Sequence, residues 1–467
     1  MLAEPFLVAV AESLGAEMLD TSPEVLESHG RDWTCVYEPN ASAVAFPRTT
    51  EDVSTLLRLC SEHGVAVVPS GGRTGLAAGA VATNGELVLS LDKMNHIGEV
   101  CALARTVRVQ GGAITAAVHE HCQKEGLTWP VDFASAGSSQ IGGNIATNAG
   151  GVRVVRYGLT RQWVLGLQVV LMSGEVLELN GELEKNNTGI DLRQLFIGTE
   201  GTLGIITEAT LQLEPVPRST AVALLGAESL EAVLGVFEAA RRKPELTIQA
   251  FEYLTHACLE VVIRHRGGAM PLESACPSYV LVEVEGDTED EAQGALAAWL
   301  EEAFEQELIL DGVVAQSSKD AVGLWAMREG ISESLTREAF LYKYDVSVPV
   351  RSMAAFEADL RTLAEQECGG FPLYLFGHVG DGNLHLNVLE PEGCDRQLFL
   401  ETCRNAEPAI FGLIQEYAGS VSAEHGIGLL KKKALPYSRT STELALFQSI
   451  KRAFDPKGLM NPGKIID

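Results

Sequence analysis

Apolar positions along this chain follow two rhythms, and the change between them divides it. From Ser42 to Ser70 a short run (SAVAF) is followed by Pro47, an amphipathic stretch from Thr49 to His63, Gly64, and a second run (VAVVP). Run, capped helix, glycine stop and run predict a βαβ unit. The runs ELVLSL (86–91) and TVRV (106–109) predict further strands, and 113–124 predicts a helix. LQVVLMSGEVLELN predicts a hairpin turning at Ser173 and Gly174, and IITEATLQLEP (205–215) alternates as a half-buried strand does. The intervening 134–151, rich in Gly, Ser and Asn, is expected to be loop rather than core.

PVPRS (215–219) marks a boundary. Beyond it AVALL, TIQAFEYL, SYVLVEVEG, YKYDVSV, PLYLFGHV and NLHLNV alternate with acidic amphipathic stretches such as TEDEAQGALAAWLEEAFEQ. Strands and helices in that order predict a second, α+β domain.

Composition narrows the function. Across 467 residues, 35 Lys and Arg face 63 Asp and Glu, a formal charge of -28 that argues against nucleic acid or anionic lipid as partner. Nine cysteines, odd in number and never in a CxxC pair, suit a reducing compartment, so the expected location is cytoplasmic. The opening MLAEPFLVAVAESLGAEMLD lacks a basic leader, and no apolar run approaches ~18 residues, so no transmembrane segment is expected.

Three glycine-rich stretches then need explaining. PSGGRTGLAAGA (69–80) follows a strand, and its glycines permit positive φ, so that successive amides can converge on an anion. ASAGSSQIGGNIATNAGG (134–151) has the small residues expected where backbone approaches a flat ligand, and GTEGTLGII (198–206) repeats the theme. One such stretch is usually a set of tight turns; three in one domain point to a ligand. Neither GxGxxG after a strand nor GxxxxGK[ST] occurs, which removes support for a nicotinamide fingerprint or a nucleoside-triphosphate loop.

FGHVGDGNLHLN (376–387) raises a second question. His378 ends one strand and His385 begins the next, so a hairpin through GDGN brings both rings to one side, with His385 and Asn387 on one face. SAEHGIG (422–428) offers Glu424 beside His425 in a loop. Two imidazoles and a carboxylate would leave a divalent ion with open positions, and nitrogen ligation favours Zn²⁺, Mn²⁺ or Co²⁺ over Ca²⁺ and Mg²⁺. On spacing alone, two hydrogen-bonded core histidines are the commoner outcome. His119 and His121, two apart on a helix, face different ways and read as surface histidines.

Taken together, PSGGRTGL, PVDFASAGSSQIGGNIATNAGG and FIGTEGTLG resemble the three FAD-contacting segments of the FAD-linked oxidases of the vanillyl-alcohol oxidase and p-cresol methylhydroxylase superfamily. The chain is similar over nearly its whole length to that group's D-2-hydroxyglutarate dehydrogenase family. The resemblance implies an α+β fold: a two-subdomain FAD-binding domain of the p-cresol methylhydroxylase type (1–215), an α+β substrate domain with an antiparallel sheet (216–410), and a C-terminal helical return packing on the FAD domain (411–467). It implies FAD contacts from Pro69, Ser70, Gly71, Gly72, Arg73, Thr74, Gly75 and Leu76 in the first loop. The second loop would contribute Ala136, Gly137, Ser138, Gly142, Gly143, Asn144, Thr147, Asn148, Gly150 and Gly151, and the third Glu200, Gly201, Gly204 and Ile206. In the tail FDPKGLMNPGKIID, Asn461 would approach the flavin, although a plain turn explains that composition equally well. Arg73 stands where members with covalent flavin often carry histidine, which implies FAD held without a covalent bond.

The same resemblance implies zinc held by His378, His385 and Glu424, with His425 as general base and substrate contact. Arg328 and Ser332 in REGISES and Lys343 in YKYDVS match positions that hold a substrate carboxylate, and Asn387 one that holds substrate near the metal. Some relatives carry Thr where Ser332 stands. The implied reaction is hydride transfer from a D-2-hydroxy acid to flavin, turning D-2-hydroxyglutarate into 2-oxoglutarate. D-Lactate, D-malate or glycolate are alternative substrates, and a metal-dependent hydrolase or a non-catalytic flavin-binding subunit are readings from other classes. The implied electron acceptor is an electron-transfer flavoprotein or a quinone-linked carrier, and a homodimer is compatible with all of this.

Overall fold

In the computed structural model, which describes residues 2–466, the side chain of Thr49 accepts the Asp52 N–H at 3.1 Å and the Asp52 carboxylate accepts the Thr49 N–H at 3.2 Å. This reciprocal cap starts the helix Thr50–His63, and Gly64, at φ 68, stops it. The helix buries Val53, Leu56, Leu57 and Cys60. The strands flanking it in sequence, Ala43–Ala45 and Val67–Ser70, both pair in parallel with Leu87–Ser90, so the βαβ expectation holds. Every residue of Leu87–Ser90 is buried, as in parallel strands covered on both faces.

The chain forms two compact units. The first takes the residues up to Gly151, Leu159–Val216 and everything from Glu424 onward; the second takes Val152–Gly158 and Pro217–Ala423. The break at Val216 falls within the expected PVPRS boundary. The later break falls after Ala423 rather than at 410, because the helix Arg396–Glu416 stays with the second unit, where Tyr344 donates a hydrogen bond to the Cys403 carbonyl at 3.2 Å.

Besides the parallel strands, the first unit has a five-stranded antiparallel sheet in the order Ile97–Cys101, Thr106–Gln110, Ile205–Gln212, Val164–Val170, Val176–Leu179. Its central strand departs from expectation. Ile205–Gln212 is buried on both faces, and Thr207, which reads as a solvent-facing position, instead donates to the Gln168 side chain at 2.9 Å. The glycine-rich 134–151 departs as well. It contains the helix Ile141–Thr147, whose Ile141 and Ile145 join the sheet's core. A Cβ on Gly142 would lie 3.0 Å from the Gly111 carbonyl, so the small residues there permit close packing rather than signal exposure. His119 and His121 are half-buried, each placing Nε2 against a backbone carbonyl, Val131 at 3.1 Å and Gly98 at 3.0 Å.

The second unit is built on one seven-stranded antiparallel sheet. Its order is Asp311–Val314, Ser219–Ala227, Ser278–Gly286, Thr247–Thr255, Leu373–His378, Asn383–Leu389, Leu341–Ser347. Six of these strands are the six apolar runs; the short edge strand Asp311–Val314 was not legible. Val152–Gly158 joins this unit through Gln249, which donates to the Tyr157 hydroxyl at 2.9 Å, and through the Arg156–Glu285 pair at 2.9 Å. Among the described residues all nine cysteines are free, and no helix is long and apolar enough to cross a membrane.

Candidate active site

The three glycine-rich stretches meet in the first unit. Gly72 touches the second stretch so closely that a Cβ would lie 2.2 Å from the Ser138 carbonyl. Gly201, at φ 71, lies so near Pro69 that a Cβ would be 2.5 Å from its ring. On the other side the cradle is open: a Cβ on Gly75, Gly137 or Gly143 would meet nothing within 4 Å. Asn461 ties the tail to the cradle, its Nδ2 donating to Gly79 at 3.0 Å and to Glu200 at 2.7 Å, while its buried Oδ1 has no protein partner. Asn144 is buried and donates to Thr115 at 2.7 Å; Thr147 bonds the Gly143 carbonyl at 3.0 Å; Asn148 caps its helix in the left-handed region and accepts the Arg161 N–H at 3.0 Å. Ile206 lies in the core strand.

Asp92 governs the first stretch. Its carboxylate meets Gln140 Nε2 at 2.6 Å, His29 Nε2 at 3.1 Å and Arg73 Nη2 at 3.4 Å. Burial alone would raise the Asp92 pKa; the His29 hydrogen bond and the Arg73 charge outweigh it and hold the carboxyl far below its usual range. Arg73, at φ 59, also donates to Gly71 O at 2.9 Å, so the side chain at the position of the flavin tether folds back on its own loop. Glu200, at φ 52, takes the N–H groups of Ile427 at 2.7 Å and Gly428 at 2.8 Å on its carboxylate. Desolvation raises its pKa even against those two donors. Glu200 therefore pins the segment just beyond Glu424 and His425.

In the second unit the strand register sets the chemistry. Glu252 pairs with His378, Phe376 with His385, Asp345 with His385, and Lys343 with Asn387. Directly paired residues share a face. The rings of His378 and His385 stand 5.4 Å apart at 86°, with a nitrogen of each within 4.8 Å of the other. Gly382, at φ 90, makes the turn between them. His378 Nδ1 lies 2.8 Å from Glu252 Oε1, and His385 Nδ1 lies 3.5 Å from Asp345 Oδ1. A neutral imidazole that donates from Nδ1 carries its lone pair on Nε2, the ligating form. Such donor pairs fit a divalent ion.

The helix Ser318–Glu338 covers this face. Its Arg328, 6% exposed, forms an ion pair with Glu252 at 2.7 Å and lies 4.9 Å over the Phe376 ring. Ser332 follows one turn later, exposed. Burial opposes the Glu252 charge, but His378 and Arg328 together hold its pKa low. Removing one member of a buried ion pair costs ~3–5 kcal/mol, so Arg328 carries structural weight here. Lys343 differs. Its ammonium has no carboxylate partner among the described residues, and desolvation alone lowers its pKa. Asn387 is buried with Nδ2 unpaired. Ala423, the last residue of this unit, donates to the Asp345 carbonyl at 3.3 Å, and Glu424 and His425 follow it directly.

Sequence comparison decides the family. Residues 41–180 match the FAD binding domain and residues 216–465 the C-terminal domain of FAD linked oxidases. The chain belongs to the FAD-linked oxidase family. It is 46% identical to the D-2-hydroxyglutarate dehydrogenase of Stutzerimonas stutzeri (strain A1501), over 95% of each chain. It is 38% identical to the mitochondrial D-2-hydroxyglutarate dehydrogenase of Danio rerio, over 96% of this chain and 82% of that one. p-Cresol methylhydroxylase with substrate bound shares the fold of this FAD-linked oxidase at TM-score 0.78 and 16% identity, covering 99% of this chain and 96% of that one. Membership makes it a flavin-dependent oxidoreductase and sets aside the hydrolase reading. The open cradle and the orphaned Asn461 Oδ1 fit FAD.

Four carboxylates escaped the sequence reading of this oxidase in the roles they take: Asp92, Glu200, Glu252 and Asp345. The signal for Glu252 was present, a charge inside the apolar run TIQAFEYL. Asp92→Asn is expected to weaken FAD retention about tenfold, because losing a charge-assisted contact costs ~1.5 kcal/mol or more. Flavin content after desalting and the Kd for FAD on reconstitution measure it; unchanged affinity would contradict the role given to Asp92.

Proposed function

We propose that this FAD-linked oxidase oxidises a D-2-hydroxy acid, D-2-hydroxyglutarate to 2-oxoglutarate, with non-covalent FAD and a zinc ion. The observation that carries the zinc is the His378–His385 pair, each ring backed by a carboxylate at Nδ1. When bound, FAD supplies the hydride acceptor and zinc a Lewis acid for the C2 oxygen. His378, His385 and Glu424 hold the ion. His425 takes the hydroxyl proton as general base, a role that suits an imidazole near neutral pH. Asn387 orients the substrate by its unpaired Nδ2, and Ser332 adds a hydroxyl donor one helical turn from Arg328.

The substrate's second carboxylate is the finer question. Arg328 offers a planar fork but shares its charge with Glu252, whereas Lys343 is an uncompensated cation on the same sheet face as His385. This supports a dicarboxylate over lactate or glycolate, as do the names of the relatives at 46% and 38% identity. Arg73 folded onto Gly71 and Asp92 supports a flavin without a covalent tether. Nine free cysteines support a reducing compartment such as the cytoplasm. The electron acceptor that this reading calls for would be an electron-transfer flavoprotein or a quinone-linked carrier.

Anaerobic addition of D-2-hydroxyglutarate is expected to bleach the flavin absorbance, at least tenfold more slowly after chelator treatment, with recovery on adding Zn²⁺. His425→Ala should retain FAD and zinc and fail to bleach; full bleaching by that variant, or indifference to chelator, contradicts the proposal. For Lys343→Ala, the KM for D-2-hydroxyglutarate should rise ~10-fold or more, the size of a lost charge-assisted contact, with little change for D-lactate. An equal rise for both substrates removes Lys343 from the second-carboxylate site.

A further inference from the structure

We propose that Glu252 is a positioning residue that holds His378 with its proton on Nδ1, leaving Nε2 for the ion, and at the same time takes up the charge of Arg328. This rests on the ion-binding reading above and goes beyond it, because it links the metal end of the site to the carboxylate end through one side chain. Glu252 is 1% exposed, in the strand Thr247–Thr255, one register step across from His378. Its two oxygens are divided: Oε1 lies 2.8 Å from His378 Nδ1, and Oε2 lies 2.7 Å from Arg328 Nη2. A carboxylate at this distance accepts from Nδ1 and fixes both the tautomer and the ring orientation of a ligating histidine. Sequence separation hides the arrangement, since His378 stands 126 positions beyond Glu252.

The second oxygen has its own consequence. With the Arg328 charge balanced by Glu252, the pair adds no net charge to the site, and Lys343 is left as the cation that a substrate anion meets. Arg328 keeps a buried Nε without a hydrogen-bond partner, so it orients an incoming carboxylate by geometry and does not supply the net attraction. A glutamine at 252 could serve one neighbour only: its carbonyl would accept from His378, and its NH₂ would then face the guanidinium, donor against donor.

Calorimetric titration of metal-stripped, FAD-loaded protein with Zn²⁺ tests this directly. Glu252→Leu, which leaves His378 Nδ1 without an acceptor, is expected to bind Zn²⁺ about 10- to 100-fold more weakly, with its FAD content unchanged and its activity restored by excess Zn²⁺, a rescue that a purely structural defect would not show. Affinity within twofold of the parent overturns the proposal. If Glu252→Leu does not fold, Glu252→Leu with Arg328→Met, which has no orphaned guanidinium, decides: weak Zn²⁺ binding supports the orienting role, and parental affinity overturns it by reducing Glu252 to a counterion. A parent protein that binds no Zn²⁺ would instead defeat the functional proposal itself, so the two failures remain distinct.

Discussion

Everything that the second unit can do depends on strand register. Glu252, His378, His385, Asn387 and Lys343 come from four strands, and they share a face only because those strands pair as they do. Side chains alternate with a period of two, so a slip of one residue between any two strands would send its functional groups to the opposite side. The apolar partners enforce the register. Leu375, Leu384, Leu386 and Val388 are fully buried, and a slip would trade them for His and Asn. The same pairing that builds the core thus aims the imidazoles.

The first unit solves a different problem, since a flat cofactor needs backbone brought close from several places. Glycines at 72, 142 and 201 let the loops touch each other, and Asp92, Glu200 and Asn461 lock them there. Arg73, Glu200 and Asn461 all sit at positive φ, a conformation uncommon outside glycine that persists when the surroundings over-determine it. Glu200 serves two ends at once. Its backbone carbonyl accepts from Asn461 in the tail, and its carboxylate holds Ile427 and Gly428, so the cofactor loop and the segment carrying Glu424 and His425 are one mechanical piece.

What the sequence disclosed follows the reach of each interaction. The cap at Thr49, the stop at Gly64 and the turn at Gly382 involve neighbours along the chain, and all were legible. The histidine pair was legible because its members stand seven positions apart along one hairpin. The glycine stretches were visible as composition, but their packing was not: Ile141 and Ile145 reach the core through glycines that read as loop. The carboxylates that orient the site answer to partners across the fold, such as His378 for Glu252 and Gln140 for Asp92, and no local pattern announces a partner so far away. Arg328 shows the same limit from the other side, since its resemblance to a substrate-binding position was plain and its ion pair with Glu252 was not.

Anomalous diffraction above and below the zinc edge, from crystals of the protein as purified, tests the proposed ion on that sheet face most directly. One strong peak is expected within bonding distance of the Nε2 atoms of His378 and His385, that is ~2.0–2.1 Å from each. A map with no peak there, or with one only at cysteine sulfurs, would contradict it.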